Sequence, residues 1–386
     1  MTHRTVGLEG VRRANLGEVL RLVHRSGPRS RATLTAETGL NRSTVADLVA
    51  ALSERGLVVE QEPDPTRRVG RPSPVVAASE NVVAIGVNPE VDAIEVGAVD
   101  LGGGVPVRAR IELDGVPRVL DAVALVTGIV QRWQRDELAN RWLVGVGVAV
   151  PGLVRASDGL VRLAPHLDWH DEDIATPLAD ALGVRVAVDN DASLGARAEH
   201  LFGAARAHDD AVYLNGGASG IGGGLIIDGR LVRGAGGYAG EWGQTRPGVA
   251  QDAQRRTDDG VLEDDVSRAR LLAAAGLTGG DDAALAAALI AAGQAAEDEI
   301  VRQRSVLAVT IGNAVNVLNP SMVVLGGFLG ILRDHAPEDF DVDVKGRSLA
   351  VTAEDLQISS AALGENRLLI GAAEAAFERL IADPLG

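Results

Sequence analysis

The sequence of 386 residues predicts an α/β protein in which an N-terminal winged helix-turn-helix precedes a doubly wound α/β body. Residues 12–62 carry apolar side chains at helical spacing in three short blocks separated by turn signals. Beyond residue 80, short β-rich runs alternate with helical stretches. The charge divides at the same place: residues 1–80 hold 12 Arg and 9 acidic residues, a net +3, and the remainder holds 25 basic and 44 acidic residues, a net −19. Because the chain is longer than one core usually organises, we predict a DNA-binding domain at 1–80 and a second domain at 81–386.

Composition excludes several classes of protein. No apolar run approaches the roughly 20 residues that span a bilayer, so we expect no membrane partner. The N-terminus lacks an apolar segment followed by a small-residue cleavage site, which favours a cytoplasmic protein. The sequence contains no cysteine, which excludes disulfides, thiolate catalysis, iron–sulfur clusters and cysteine-based zinc sites.

The three N-terminal helical blocks are bounded by recognisable end signals. The first block ends near Ser26-Gly27-Pro28, Ser30 can cap the second, and Gly39 breaks the chain before Asn41 or Ser43 opens the third. Two helices joined by a tight Gly turn are typical of a helix-turn-helix. Residues 57–60 and 75–76, on either side of a Pro-rich turn, suit a two-stranded wing.

Polar side chains at the start of the third helix can reach base edges or phosphates when that end enters a major groove. Arginines on the Gly/Pro-rich wing tip suit a narrow minor groove. The alternative is a three-helix packing module with solvated arginines. We predict contacts to double-stranded operator DNA from Ser30, Arg31, Asn41, Arg42, Ser43, Thr44, Arg67, Arg68 and Arg71.

In the body, polar or glycine-rich segments follow the predicted strands, where ligands bind in α/β sheets. Asn190 and Asp191 stand where a strand turns into a helix, and an Asp there can hold a sugar hydroxyl or act as a general base. The segment 215–224 is read as a loop whose backbone N–H groups could hold a phosphate, or as a tight turn only. The Ala-rich stretch 283–300 predicts a single amphipathic helix.

Specific motifs give a resemblance over nearly the whole chain. They are GVGVAVPGLV, LDW, VDNDA, GIGGGLIIDG, GEWGQ, GVLE and LNPSMVVLGG. Together with the N-terminal head they resemble a transcriptional regulator of the ROK family (repressors, open reading frames and sugar kinases), similar to its xylose and N-acetylglucosamine repressors. The resemblance implies a two-lobed, actin-like (ribonuclease H-like) fold with sugar in the cleft. The lobes would comprise about 81–190 plus the C-terminal helix, and 191–365.

The resemblance also implies which residues bind the sugar. In the family's kinases the positions matched by Asn190, Asp191, Glu241 and Glu263 bind sugar hydroxyls, and the position of Asp191 is the catalytic base. Gln244 can donate to and accept from a hydroxyl. His166 begins a cluster, His166-Leu167-Asp168-Trp169-His170-Asp171, that could hold a metal, but the matching family loop lies near the sugar, so we predict a sugar contact instead. Isolated histidines, His24 and His200 among them, carry no functional prediction.

Two departures from the family pattern bear on catalysis. Where the kinases have an Asp-x-Gly-Gly-Thr loop for phosphate and magnesium, this chain has Gly86-Val87-Asn88-Pro89-Glu90-Val91, which loses an acidic residue and an N–H donor and gains a negative charge. Where the family has a zinc-binding His and Cys, this chain has Gln244 and Val261. We therefore predict no catalytic residue, no metal and no cofactor.

The expected function is a sugar-responsive DNA-binding regulator of carbohydrate metabolism genes, and in preference a repressor. Its partners would be operator DNA, a monosaccharide or sugar derivative, and a second copy of the chain in a homodimer or higher oligomer. One alternative is an ATP-dependent sugar kinase of the same family. The other is a regulator that has lost sugar sensing and responds to a protein partner.

Overall fold

The computed structural model describes residues 7–62, 74–248 and 260–386. The N-terminal head combines three helices with a small antiparallel sheet of strand order β1-β3-β2. Its elements are α1 (Leu8–Ser26), β1 (Arg29–Ser30), α2 (Arg31–Thr38), α3 (Arg42–Glu54), β2 (Val58–Gln61) and β3 (Val75–Ala78).

Side-chain caps define the two helices of the helix-turn-helix. The hydroxyl of Ser30 accepts a hydrogen bond from the Thr33 amide at 3.0 Å and starts α2. Gly39 ends α2 with φ +67°, a left-handed conformation that glycine adopts without strain. The Asn41 side chain accepts from the Thr44 amide at 2.8 Å and starts α3. These caps produce the predicted helix-turn-helix.

The first lobe of the body is built on a five-stranded sheet of order β11-β7-β4-β5-β6. Strands β4, β5 and β6 are antiparallel neighbours, and β7 and β11 run parallel to β4. The elements of this part of the chain are β4 (Val82–Pro89), β5 (Ala93–Asp100), β6 (Val107–Glu112), α4 (Val119–Arg135), β7 (Trp142–Val150), β8 (Leu153–Val154), β9 (Val161–Ala164), β10 (Trp169–Glu172), α5 (Ala175–Leu182), β11 (Arg185–Asn190) and α6 (Asp191–Phe202).

The second lobe repeats this topology in the order β14-β13-β12-β15-β16, again with three antiparallel strands followed by two parallel ones. The remaining elements are β12 (Ala211–Gly217), β13 (Gly220–Ile227), β14 (Arg230–Leu231), α7 (Leu262–Asp265), α8 (Arg268–Ala274), α9 (Asp282–Ala292), α10 (Gln294–Leu318), β15 (Met322–Gly327), α11 (Phe328–Asp334), α12 (Pro337–Gly346), β16 (Gln357–Ser360) and α13 (Arg367–Ala382). The duplicated sheet confirms the predicted two-lobed, ribonuclease H-like fold.

Two local predictions were wrong. The segment 215–224 is not a loop: residues 211–217 and 220–227 pair as an antiparallel hairpin. Its glycines serve close packing, since a Cβ on Gly223 would lie 2.2 Å from the Trp242 ring. The stretch 283–300 is divided between α9 and α10 at Gly293, whose φ of +54° interrupts the helix.

The C-terminal helix α13 returns to the first lobe and packs against β4, β7 and α6. It lies so close to β7 that a Cβ on Gly147 would be 1.7 Å from the Ala372 carbonyl oxygen. The head packs against the same helix, and buried residues of both parts, such as Leu16 and Phe377, belong to one apolar cluster. Only residues 79–81 separate β3 of the head from β4 of the body. The head is therefore held firmly against the first lobe.

Candidate functional site

A cleft of about 440 Å³ brings together side chains from both lobes. All six residues proposed from the sequence as sugar contacts line it: His166, Asn190, Asp191, Glu241, Gln244 and Glu263. Two further polar residues in the lining, Asn215 and Ser219, were not predicted. Asn215 is a buried polar residue that follows the apolar residues of strand β12. A polar residue in that position is the signal in the sequence that could have identified it.

Asn190 and Asp191 occupy the junction of β11 and α6, at the first lobe's side of the cleft. Asn190 caps α6 by accepting from the Ser193 amide at 2.9 Å. Its amide nitrogen donates to the Gly152 carbonyl at 3.0 Å and to Asp191 Oδ1 at 3.1 Å. Because these bonds use both amide hydrogens, Asn190 orients Asp191 and has only its remaining oxygen lone pair for a ligand.

Glu263 lies in the first turn of α7, at the second lobe's side of the cleft. Its carboxylate accepts from the Ile221 amide at 3.2 Å and from Gln244 Nε2. Gln244 belongs to the same 240–244 segment as Glu241, whose carboxylate has no hydrogen bond to another described residue. The two glutamates and the glutamine thus line the same cleft as Asp191.

The pKa values of two carboxyl groups in the cleft, Asp191 and Glu241, are raised. Burial raises the pKa of Asp191 to about 6, helped by the negative charge of Glu241 and opposed by the Ala192 amide and Arg367. Burial and then Glu263 raise the pKa of Glu241. No Arg or Lys occurs among the described residues that line the cleft. An arrangement of this kind accepts hydrogen bonds from neutral hydroxyl groups and repels phosphate.

His166 lies on a short 3-10 turn, Pro165–Leu167, and is exposed at the edge of the cleft. Within the described ranges no group of three or more His, Cys, Asp or Glu residues could hold a metal ion. The donors also do not fit the family's zinc: Gln244 bonds Glu263, and Val261 has no ligand atom.

The degraded phosphate loop is closed by its own side chains. Asn88, which is buried at the end of β4, donates to Glu90 Oε1 at 2.9 Å. Arg110 of β6 donates to Glu90 Oε2 at 2.6 Å. This network pairs the Glu90 carboxylate with Arg110 and uses one amide hydrogen of Asn88, within the segment that differs from the kinases' phosphate-loop motif.

The predicted DNA contacts divide into two groups in the head. Arg42 and Ser43 are exposed on the first turn of α3, with Thr44 partly exposed beside them. The side chains of Ser30 and Asn41 are used as helix caps, and Arg31 pairs with Glu60 on the wing. The wing-tip residues Arg67, Arg68 and Arg71 lie outside the described residues.

Helix α6 joins the cleft to the head. Its N-terminal residue Asp191 faces the cleft, and His200 in its last turn lies 3.4 Å from a guanidinium nitrogen of Arg25 on α1. One helix therefore reaches from the candidate ligand site to α1 of the N-terminal head.

Comparison with known proteins identifies a family. Residues 85–379 match the sequence profile of the ROK family. The xylose repressor of Bacillus spizizenii is 31% identical over 233 residues, so that the chain spans 60% of that repressor's length. The xylose repressor of Caldicellulosiruptor bescii is 25% identical over 366 residues, 89% of this chain and 90% of that one. The DNA-binding transcriptional dual regulator NagC of Escherichia coli K12 is 26% identical over 329 residues, 82% and 81% of the two chains.

Solved structures agree at the level of fold. A ROK family transcriptional regulator, a homologue of the E. coli MLC protein, superposes with a TM-score of 0.76 at 22% identity and covers 96% of this chain and 97% of its own. A ROK family glucokinase from Streptomyces griseus, solved with glucose and AMPPNP, has a TM-score of 0.60 at 23% identity and covers 77% of this chain and 99% of its own. The regulator matches the head as well as the body, whereas the kinase is confined to about three quarters of the chain.

Proposed function

This chain belongs to the ROK family, and from that premise we propose that it is a DNA-binding transcriptional repressor whose affinity for an operator is changed by a sugar. The observation that carries this proposal is α6, which begins at the carboxylates of the cleft and ends against the helix-turn-helix head. The names of the repressors at 25–31% identity support the same reading.

We assign DNA reading to the first turn of α3. Arg42, Ser43 and Thr44 are available to bases or phosphates. Ser30 and Asn41 accept the Thr33 and Thr44 amide hydrogens as caps, and the first-turn N–H groups that these caps leave unused would bind phosphate. Arg67, Arg68 and Arg71 would contact the minor groove from the wing. A protein that reads chromosomal DNA in this way works in the cytoplasm.

The ligand of the cleft is a neutral monosaccharide or derivative. Asp191, Glu241 and Glu263 accept its hydroxyl hydrogens, Gln244 and His166 add donors at the rim, and Asn190 holds Asp191 in place. Because the lining is acidic, a phosphorylated sugar is disfavoured there.

The sugar acts by a difference in affinity between two arrangements of the lobes. Since α6 and α13 pack against both the body and the head, a change in lobe closure moves the head as a unit. Two heads in a homodimer would then fit or miss half-sites about one helical turn apart.

A sugar kinase is the second candidate, and Asp191 is the observation in its favour. Its raised pKa of about 6 suits a general base, but the Asn88–Glu90–Arg110 network occupies the phosphate loop. We infer that the protein is not an enzyme. Sugar-dependent ATP consumption, with transfer of the γ-phosphoryl group to a sugar hydroxyl and release of ADP, would overturn this inference if Asp191→Asn abolished it.

The decisive experiment selects genomic DNA fragments with the purified full chain at near-physiological salt, with and without a pool of monosaccharides. We expect enrichment of a two-fold symmetric site that changes with the pool. No enrichment in either arm would refute the DNA-binding head. Sugar sensing would be refuted, and a protein effector favoured, if the same DNA is enriched with and without the pool and calorimetry against single sugars shows no heat of binding.

A further inference from the structure

A second cavity, of about 410 Å³, lies where the head meets both lobes. Helix α1 of the head forms one side, α6 and α13 form another, and the turn between β13 and β14 of the second lobe forms the third. Its volume is within the range of small-molecule sites. Five arginines line this junction cavity: Arg21, Arg25, Arg197, Arg230 and Arg233.

Three of these arginines are already paired with carboxylates. The pairs are Arg21 with Glu18, Arg197 with Glu378 at 2.9 Å, and Arg233 with Asp189 at 2.6 Å. The other two, Arg25 and Arg230, form no ion pair within 4 Å with any described residue. The cavity therefore presents two guanidinium groups whose charge is not matched at close range.

Arg25 is the more enclosed of the two. Its guanidinium nitrogen lies 3.4 Å from His200 Nε2. Burial, assisted by Arg25, lowers the pKa of His200 to about 4, so His200 is neutral and supplies no counter-charge. Burial also lowers the pKa of Arg25 itself. An anion bound here would offset the cost of enclosing this cation.

Glu374 lies in the wall of the same cavity, but its side chain is almost fully buried. Its Oε2 bonds His24 Nε2 at 2.9 Å, and its Oε1 has almost no exposed surface, so a ligand in the cavity does not reach it. The cavity, at about 410 Å³, is nevertheless far larger than a phosphate group, so a phosphate bound by Arg25 and Arg230 leaves room for an organic group.

We propose that the junction cavity binds a phosphorylated sugar, with the phosphate held by Arg25 and Arg230 and the sugar in the remaining volume. The dianionic phosphate monoester matches the two unpaired guanidinium groups, and the volume of about 410 Å³ accommodates the polyol part. The unpaired arginines of the junction cavity favour phosphate, whereas the carboxylates of the cleft disfavour it. The protein would then have one site for a neutral sugar and another for a phosphorylated one.

The position of this site makes it regulatory. Arg25 belongs to α1 of the head and Arg230 to β14 of the second lobe. A ligand that contacts both side chains ties the head to the second lobe, in addition to the head's apolar contact with the first lobe. Binding would therefore favour one arrangement of lobes and head over others.

The test is calorimetric titration of the full chain with glucose 6-phosphate, inorganic phosphate and glucose. The variants are Arg230→Ala, whose exposed side chain bonds no described residue, and Arg25→Gln. Arg135→Ala, another exposed arginine on α4, is the matched control. Glu263→Gln in the cleft separates the two sites.

We expect glucose 6-phosphate to bind more tightly than inorganic phosphate, and each junction variant to weaken it by about tenfold or more. Arg135→Ala and Glu263→Gln should leave its affinity unchanged. The proposal is overturned if neither phosphate compound binds at up to about 10 mM, if inorganic phosphate binds as tightly as the ester, or if affinity depends on Glu263 and not on the arginines. None of these outcomes affects the DNA selection that tests the proposed function.

Discussion

His24 of the head and Glu374 of α13 form an ion pair across the junction, with 2.9 Å between Nε2 and Oε2 and both side chains about 1% exposed. The other ring nitrogen of His24 bonds the Leu101 carbonyl at 2.6 Å, and the edge of the ring meets Phe202. The pair joins residues 350 positions apart and connects the N-terminal head to the C-terminal helix α13.

Breaking this pair should destabilise the protein strongly. His24→Leu leaves Glu374 buried and unpaired, for which we expect a loss of about 3–5 kcal/mol in the free energy of unfolding. The double variant with Glu374→Leu removes both charges and should recover a large part of that loss. Denaturant titration measures the free energy of unfolding of the single and the double variant. A double variant that is no more stable than His24→Leu would contradict the assignment of the loss to an unpaired buried charge.

The same pair predicts a pH dependence. Burial alone would lower the pKa of His24, but Glu374 and the Leu101 carbonyl outweigh it and raise the pKa above 6.5. A raised histidine pKa stabilises the folded state fully below pH 6.5, and this contribution is lost as the pH rises through the folded pKa. Denaturant titration from pH 6 to 9 should show that decline in the wild type, and the double variant should lack it.

Ionised Asp191, which is buried at the cleft, should lower the free energy of unfolding at neutral pH. Its folded pKa of about 6 exceeds the ordinary 3.8, so its favourable contribution is present below 3.8 and is lost as the pH rises through 6. Asp191→Asn cannot ionise and should be more stable than the wild type by about 1–2 kcal/mol at pH 7.5, after allowance for partial solvent screening. The gain should shrink toward pH 4, and an equal gain at both pH values would refute the assignment.

Sugar affinity should depend on the charge of Glu263. Glu263→Gln preserves the size of the side chain but replaces a charged acceptor, so the Kd of the effector found by DNA selection should rise about tenfold. Glu354→Gln, at an exposed position outside the cleft lining, is the control. An unchanged Kd for the Glu263 variant would remove α7 from the binding site.

Arg42 should contribute to DNA affinity in one of two distinguishable ways. If it contacts phosphate, Arg42→Ala weakens binding to all sequences and reduces the slope of log K against log salt by about 1; if it contacts a base, it costs about 1–3 kcal/mol at one operator position. Fluorescence anisotropy at several salt concentrations, with operator and scrambled duplexes, separates the two. The control Arg135→Ala should bind DNA with wild-type affinity and salt dependence. If Arg42→Ala also binds like the wild type, the start of α3 is excluded from the interface.

Gly147 should tolerate no side chain. A Cβ there would lie 1.7 Å from the Ala372 carbonyl oxygen, so Gly147→Ala must push α13 away from β7 and should cost about 3 kcal/mol or more. Gly128→Ala, at an exposed position on α4 with nothing within 4 Å of the new Cβ, should instead stabilise the helix by up to about 1 kcal/mol. Thermal unfolding of the two variants gives the comparison, and similar midpoints would show that α13 can shift without cost.

The elements with strong local patterns could be predicted from the sequence. Capping residues such as Ser30 and Asn41, and apolar alternation in the strands, act over a few residues, so their effect is visible locally. The cleft residues Asp191 and Glu263 were predicted because their motifs, VDNDA and GVLE, resemble those of the ROK family, in whose kinases the matching positions bind sugar hydroxyls. Asn215 was missed because its glycine neighbours suggested a phosphate-binding loop, whereas their small size serves packing against Trp242 and Phe328.

The local patterns of the sequence therefore predicted the head, and the resemblance of its motifs to the ROK family predicted the two-lobed fold and six residues that line the cleft. Only the tertiary structure decided that His24 is paired with Glu374, that Asn88, Glu90 and Arg110 close the phosphate loop, and that arginines of α1, α6 and β14 line one cavity. The physical reason is distance along the chain: a buried charge is stabilised by its neighbours in space, and partners hundreds of residues apart leave no periodic or local trace in a single sequence.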